Sequence, residues 1–458
     1  MSLAAETAAP PTRLLSKDLR ARHVTMISIG GIIGAGLFVG SSAGIAQIGP
    51  AVVVSYLLAG IVVLLVMRQL GEMASAWPEL GSFSEYARLG LGNWAGFTSG
   101  WLYWYFWVVV CSVEAIAGAK LLHAWIPLPV WGWGTILLGL MMGTNLWSVR
   151  SYGEFEFWFA SIKVVAIVAF ILTCGAWLGF HAPGPGGARF GNLTALGGFW
   201  PKGPFSVLAG VTSVVFALTG AEIATLAAAE SDEPGKAVGR MTGQVTLRIL
   251  LFYVVSLFLI VTIVPWTQIR PGDSPFAITL QVMKIPAAPT IMNILILTAV
   301  LSCLNSGLYT SSRVLFTLAA QGDAPAALVA LNARKTPVRA ILIVGAFGLV
   351  AMAASALSPD RVFAFLVAAS GALMLIVYGF VSVAQIIVRR RTEREAPERL
   401  SVRMWLFPAL SWFTVAAIVG ILAAMAFDAD LRSQLLASLA VTGAALAAYV
   451  VLRRRRTA

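Results

Sequence analysis

Charge is scarce in this chain. Asp, Glu, Lys and Arg make up 11% of its 458 residues, and the acidic groups number only 20, too few to give a chain of this length a solvated surface in water. Cysteine is rarer still. Cys111, Cys174 and Cys303 are odd in number, far apart, and each lies inside an apolar run, which excludes a disulfide framework and leaves them as small apolar side chains. His23, His123 and His181 show no ligand spacing, so neither a metal nor another cofactor is expected. Long polar linkers are missing too. The longest polar connection, about 180–204, is rich in Gly and Pro and too short to separate soluble domains.

What fills the chain instead is apolar: 59% hydrophobic residues and a mean hydropathy of +0.85. About twelve runs are long enough to cross a hydrocarbon core of about 30 Å. They lie near 24–47, 51–71, 95–122, 128–147, 156–179, 205–228, 243–265, 289–319, 338–357, 362–388, 404–427 and 433–452. The expected fold is therefore an all-α polytopic membrane protein. A net charge of +12 would suit nucleic acid, but the basic residues fall in alternate connections and not on one soluble face, so no nucleic-acid partner is expected. With the N-terminus inside, most Lys and Arg become cytoplasmic, as the positive-inside rule requires. Arg389, Arg390, Arg391, Arg394, Arg399 and Arg403 form the largest cluster and Arg453 to Arg456 the next. Residues 1–23 are expected as a cytoplasmic tail, 24–452 as the membrane domain and 453–458 as a basic cytoplasmic tail, in the cytoplasmic (inner) membrane.

Two spans carry interruptions at matching places, five spans apart. The first is Gly30-Gly31-Ile32-Ile33-Gly34-Ala35-Gly36 and the second Phe216-Ala217-Leu218-Thr219-Gly220-Ala221-Glu222. Lipid cannot hydrogen-bond free peptide groups, so irregular backbone at membrane depth survives only where it lines a cavity or meets a ligand. Paired breaks of this kind mark the midplane site of inverted-repeat carriers. An odd number of spans per repeat inverts the second, which gives one repeat over about 24–179, another over about 205–388, and peripheral spans over 404–452. Four glycines between 30 and 36, each costing about 1 kcal/mol in a helix interior, let the first span unwind. The N–H groups of Gly34, Ala35 and Gly36 would then face a substrate carboxylate at the positive end of the outer half-helix. The carbonyls of Ile32 and Ile33 could take a cation. At the second break the carbonyls of Phe216 and Ala217, beside Thr219 and Gly220, could hold an ammonium, with the Phe216 ring as a gate. The competing reading is packing: Gly36, Gly40 and Gly44 repeat every four residues, the pattern of close helix approach, and Phe216 would suit a core equally well.

Three ionisable groups sit deep within spans, where each is costly unless it functions. Lys163 in span five is expected to carry the coupling proton in place of a sodium ion, and Glu222, just past the second break, to share that role. Their alternatives are a permanent ion pair and a helix-end charge. Glu114 in span three is subordinate, since Lys120 or a water would satisfy it. Glu72 and Arg313 are placed near span ends, within reach of the interface. Ser302, Asn305 and Ser306 could reach Lys163, but are preferred as glue between helices, and the aromatic run Trp101 to Trp107 as packing.

These breaks, with Lys163 and Glu222, resemble the amino acid, polyamine and organocation permeases over nearly the whole chain. Gly100-Trp101-Leu102-Tyr103-Trp104, Tyr152-Gly153-Glu154-Phe155-Glu156-Phe157-Trp158, Ala228-Ala229-Glu230-Ser231-Asp232 and Ser302-Cys303-Leu304-Asn305-Ser306-Gly307-Leu308-Tyr309 are similar to the branch that carries GABA. The resemblance implies a LeuT-type 5+5 inverted repeat and proton-coupled import of an amino acid. It assigns Gly34 to Gly36 to the substrate carboxylate, Lys163 to the vacant sodium position and Glu222 to the span-six glutamate. Tyr105 and Cys111-Ser112-Val113 depart from the pattern, which leaves proline or an aromatic amino acid as alternatives. An exchanger, a channel and a non-transporting sensor are the other readings; no pore stripe and no catalytic set is visible.

Overall fold

The computed structural model describes residues 33–80, 82–147, 149–220, 222, 249–332 and 336–457. Within them the chain is helical, with no strand. Eight helical stretches are long and apolar enough to cross a membrane, and two shorter apolar helices join them. The first stretch runs 41 residues from Gly36 to Ala76, about 60 Å at 1.5 Å per residue, twice a hydrocarbon core. Gly49 divides it. Its φ of +80° followed by Pro50 reverses the chain, a conformation that a side chain would strain. The result is α1 (36–48), π-helical over Gly36–Gly40 and α-helical over Ser41–Ile48, and then α2 (Val52–Ala76).

A short α3 (Phe83–Leu91) lies between spans. Ser82 caps its start by accepting the Glu85 N–H, and Phe83, Tyr86 and Ala87 face inward, the build of a helix lying at an interface. Arg88 on its last turn meets Asp323 at 2.5 Å and Glu85 at 3.1 Å. Burial works against the Arg88 charge, but the two carboxylates outweigh it and raise its pKa. Then follow α4 (Asn93–His123), α5 (Val130–Trp147), α6 (Val149–Phe180), α7 (Pro204–Leu218) and α8 (249–263), π-helical over Ile249–Val255 and α-helical over Ser256–Ile263. After the short α9 (Pro275–Val282) come α10 (Ala288–Ala320), α11 (Val338–Ser355), α12 (Pro359–Glu395), α13 (Ala409–Phe427) and α14 (Arg432–Thr457).

Burial sorts these helices. The most apolar window of α4 is 78% buried and that of α14 only 17%, so α4 is an axis of the bundle and α14 faces outward. Against α4 pack α10, α12 and α5, and its inner face reaches the start of α1 through Glu114 and the end of α7 across a shared cavity.

Glu72 departs from its expected place near the interface. It is 1% exposed, because α12, with 37 residues about 55 Å long, and the segment after it fold over the end of α2. Glu72 pairs with Arg389, accepts from Gln385 Nε2 at 2.6 Å and from the Met404 N–H at 2.5 Å. Ser411 in turn donates to Gln385 at 2.8 Å.

Candidate functional site

Both interruptions touch each other at the centre of the bundle. At the first, Ile33 and Gly34 are bent, non-helical backbone and the outer half-helix starts at Ala35; Ile32 and the inner half lie outside the described residues. The Gly34 carbonyl caps the new turn, accepting from the N–H groups of Leu37 at 3.3 Å and Phe38 at 3.4 Å. At the second, α7 stops at Leu218, Thr219 is extended with ψ of 147°, and Gly220 has φ of +113°. The continuation, 221 and 223–248, lies outside the described residues, and with it the run Ala228 to Asp232. A Cβ on Gly36 would stand 2.7 Å from the Ala217 Cα. The first break can approach the second only because that position has no side chain.

Between them lies a cavity of about 20 Å³, lined by Gly34, Gly36, Phe216, Ala217, Thr219 and, from neighbouring helices, Phe106, Trp107, Val110, Glu114 and Cys303. That is room for about one water. Of the residues singled out from sequence, Gly34, Gly36, Phe216, Ala217 and Thr219 therefore share one space, with Ala35 and Gly220 directly beside it in the chain. Ile33, 1% exposed, is buried next to this space without lining it.

The Ala35 N–H, one of the three donors expected to meet a substrate carboxylate, donates to the carboxylate of Glu114, at 3.2 Å from Oε1 and 3.3 Å from Oε2. Lys120, the side chain expected to satisfy Glu114, instead bonds Asp360 at 2.7 Å, Asp273 at 3.4 Å and the Pro271 carbonyl at 3.1 Å. Glu114 also bonds Cys303 and lies within electrostatic range of Lys163. Lys163, 2% exposed, donates to Ser302 Oγ at 2.9 Å, one layer behind Glu114 as seen from the cavity. Ser302 therefore reaches the lysine, whereas Asn305 bonds Thr144 at 3.1 Å and Asn145 at 2.6 Å and joins α10 to α5 as glue.

Glu222 holds the second break from behind. Its Oε2 accepts the Gly220 N–H at 2.9 Å and the Tyr378 hydroxyl at 3.3 Å, and its Oε1 the Tyr103 hydroxyl at 3.3 Å. A helix-end charge explains the first bond; two buried tyrosines from α4 and α12 make it a junction. The Ala217 carbonyl accepts from the Tyr253 hydroxyl at 2.8 Å, and the Phe216 carbonyl from the Thr219 N–H at 3.4 Å. Each carbonyl has two lone pairs, so one remains for a further donor.

The contribution of α4 had a signal in the sequence. Tyr103, Trp107, Val110 and Glu114 follow steps of four, three and four, one face of a helix, and this face meets both breaks. By contrast Tyr105 and Cys111 do not line the cavity. Tyr105 faces outward, and Cys111 packs where a Cβ on Gly307 would stand 2.9 Å from its sulfur. Ser112 and Val113 are likewise absent from the lining of this cavity.

Residues 23–457 match the family described as Amino acid permease. The chain is 47% identical to gamma-aminobutyric acid permease of Bacillus subtilis, over 96% of this chain and 94% of that one. It is 44% identical to gamma-aminobutyric acid permease of Escherichia coli, over 90% of this chain and 89% of that one. Among solved structures, a manganese transporter of Eremococcus coleocola shares the fold, with a TM-score of 0.57, 13% identity and 95% coverage of both chains.

Proposed function

Because the chain belongs to the amino acid permease family, we propose that it imports GABA, or a zwitterion of similar length, by proton-coupled alternating access across the cytoplasmic membrane. The observation that carries this reading is the meeting of two helix ends, the start of α1 and the end of α7, across one small cavity, with N–H donors on one side and carbonyls on the other. The proposed frame is a LeuT-type 5+5 inverted repeat of twelve spans, with α13 and α14 peripheral and both termini cytoplasmic.

In this mechanism the substrate carboxylate takes the N–H groups of Gly34, Ala35 and Gly36, at the positive end of α1. Its ammonium meets the carbonyls of Phe216 and Ala217, beside Thr219 and Gly220, with the rings of Phe216 and Trp107 over it. The carbonyls of Ile32 and Ile33 close the inner side. Any amino acid is larger than a space of about 20 Å³, so Phe216 and Glu114 move aside as the cavity opens. The identity of the GABA-permease relatives supports the longer substrate over an α-amino acid.

Glu114 gives the coupling a physical cause. Two carboxylates cannot share the Ala35 N–H, since like charges at that distance in a low-dielectric site repel strongly. Substrate arrival is therefore linked to a proton taken up among Glu114, Lys163 and Glu222, which leaves again on the inner side. Uptake of labelled GABA into proteoliposomes tests this. Saturable accumulation driven by an imposed pH gradient, and lost in Lys163→Met, is the expected result; uphill uptake unchanged in that variant would assign Lys163 to structure, and flux indifferent to every gradient would make the protein a passive conductor.

A further inference from the structure

On the side of α4 turned away from the cavity, two apolar grooves open to the outside of the bundle. One, of about 470 Å³, runs between α4 and α14, with Phe97, Trp101 and Trp104 on one wall and Ala445, Ala448 and Leu452 on the other. The second, also about 470 Å³, lies between α4, α11 and the start of α12 and is lined by Val109, Phe347, Val350 and Phe365. Tyr105 belongs to both, and the rings of Trp104 and Phe347 meet edge to face at 5.7 Å where the grooves join. From Phe97 to Ser112 this lane follows about 22 Å of helix, most of the about 30 Å of hydrocarbon in one bilayer. Val350 is 69% exposed and Phe347 45%, surfaces suited to acyl chains.

Cations stand at the two far ends. Arg361 lines the second groove and has no hydrogen bond or ion pair among the described residues. Exposed Arg453 and Arg454 follow Leu452 at the end of the first. Asp360, beside Arg361 in the chain, is engaged by Lys120 at 2.7 Å, and Asp323, on the lining of the first groove, by Arg88 at 2.5 Å, so neither acid pairs with Arg361.

We propose that this lane binds anionic phospholipid, one molecule in each leaflet, with acyl chains in the grooves and phosphate groups on Arg361 and on Arg453 with Arg454. A greasy groove alone accepts any lipid; an arginine at each mouth selects for negative charge. The opposite face of α4 carries Tyr103, Trp107 and Glu114, so a lipid seated on Tyr105 braces the wall of the substrate site. That consequence rests on the transport reading, whereas the binding itself does not.

Native mass spectrometry of the purified full chain, offered equimolar phosphatidylglycerol and phosphatidylcholine, tests the proposal. The wild type is expected to retain phosphatidylglycerol in preference. Arg361→Gln, and separately Arg453→Gln with Arg454→Gln, should weaken that retention about fivefold per arginine removed, and Arg361→Lys should restore most of it. Val350→Trp and Ala448→Trp should fill the grooves and displace lipid with every charge intact. Equal retention of both lipids by the wild type, unchanged retention in the glutamine variants, or a dimer that buries α14 in place of lipid would overturn it. Retention is read without transport, so a protein that keeps phosphatidylglycerol yet carries no GABA would sink the transport reading and leave this site standing.

Discussion

Glu72 and Glu114 are equally buried, each 1% exposed, and they are held in opposite ways. Glu72 faces the guanidinium of Arg389, a side-chain amide and a backbone N–H, so its charge is neutralised where it stands and every strong partner comes from the protein. Glu114 rests on a single peptide N–H and a thiol, with a lysine behind it that is bonded to Ser302. The first arrangement fixes a fold, since removing either ion strands the other in a low-dielectric interior. The second can exchange, because the N–H that it holds is satisfied equally by another carboxylate. Burial alone does not mark a functional charge in a membrane bundle; the exchangeability of its partners does.

The largest effect that this contrast predicts is on the paired site. Arg389→Met leaves Glu72 buried and unpaired, at a cost of about 3–5 kcal/mol, and should collapse the folded yield in detergent, read by size-exclusion chromatography and thermal unfolding. Adding Glu72→Met should recover much of it. Normal folding of Arg389→Met alone would erase the distinction between the two glutamates.

Gly36→Val comes next, and it acts at the junction of the breaks. A Cβ there meets the Ala217 Cα at 2.7 Å, a backbone atom that cannot swing aside, so overpacking of about 1–3 kcal/mol is expected together with separation of the two half-helices. Membrane insertion should persist while GABA binding is abolished in a scintillation-proximity assay. Full binding by the variant would show that the two sides need not meet.

Glu114→Gln should be milder for the fold, since a glutamine fills the same space and its amide oxygen accepts the Ala35 N–H. The expected stability change is within about 1 kcal/mol, but accumulation driven by a pH gradient should fall to the level of exchange, because the residue no longer binds a proton on substrate arrival. Counterflow of labelled against unlabelled GABA should survive. Retained uphill uptake would move the coupling to Lys163 and Glu222 without Glu114.

The sequence was legible where backbone chemistry announces itself. Glycines crowded at 30–36 and Thr219-Gly220 cannot continue a helix easily, and the described parts of both, Ile33-Gly34 and Thr219-Gly220, are irregular. Lys163 and Glu222 stand out in sequence for a different reason, as charges that hydrocarbon does not tolerate unpaired, and both are buried with hydrogen-bond partners. What escaped depends on which distant helix each side chain faces. Glu114 reaches across 79 positions to Ala35, Tyr378 across 156 to Glu222 and Arg389 across 317 to Glu72. Helix rotation sets those partners, and no local pattern fixes it. The spacing Tyr103, Trp107, Val110, Glu114 does identify a face of α4, though not what that face meets.

The smallest effect tests the second break on its own. Tyr253 donates to the Ala217 carbonyl at 2.8 Å, a neutral bond that stiffens the end of α7 without a charge. Tyr253→Phe removes the hydroxyl and leaves the ring, at a cost of about 1 kcal/mol, and it frees a lone pair on a carbonyl proposed to hold the substrate ammonium. If that carbonyl belongs to the site, the variant should lose about 1 kcal/mol of stability while GABA affinity stays level or rises up to about fivefold, since the competing donor has gone. Tyr378→Phe, which takes a bond from Glu222 and none from the cavity, should lower stability at least as much with no gain in affinity. Equal affinity changes in the two variants would place the ammonium elsewhere, and binding isotherms beside thermal unfolding curves decide between these outcomes.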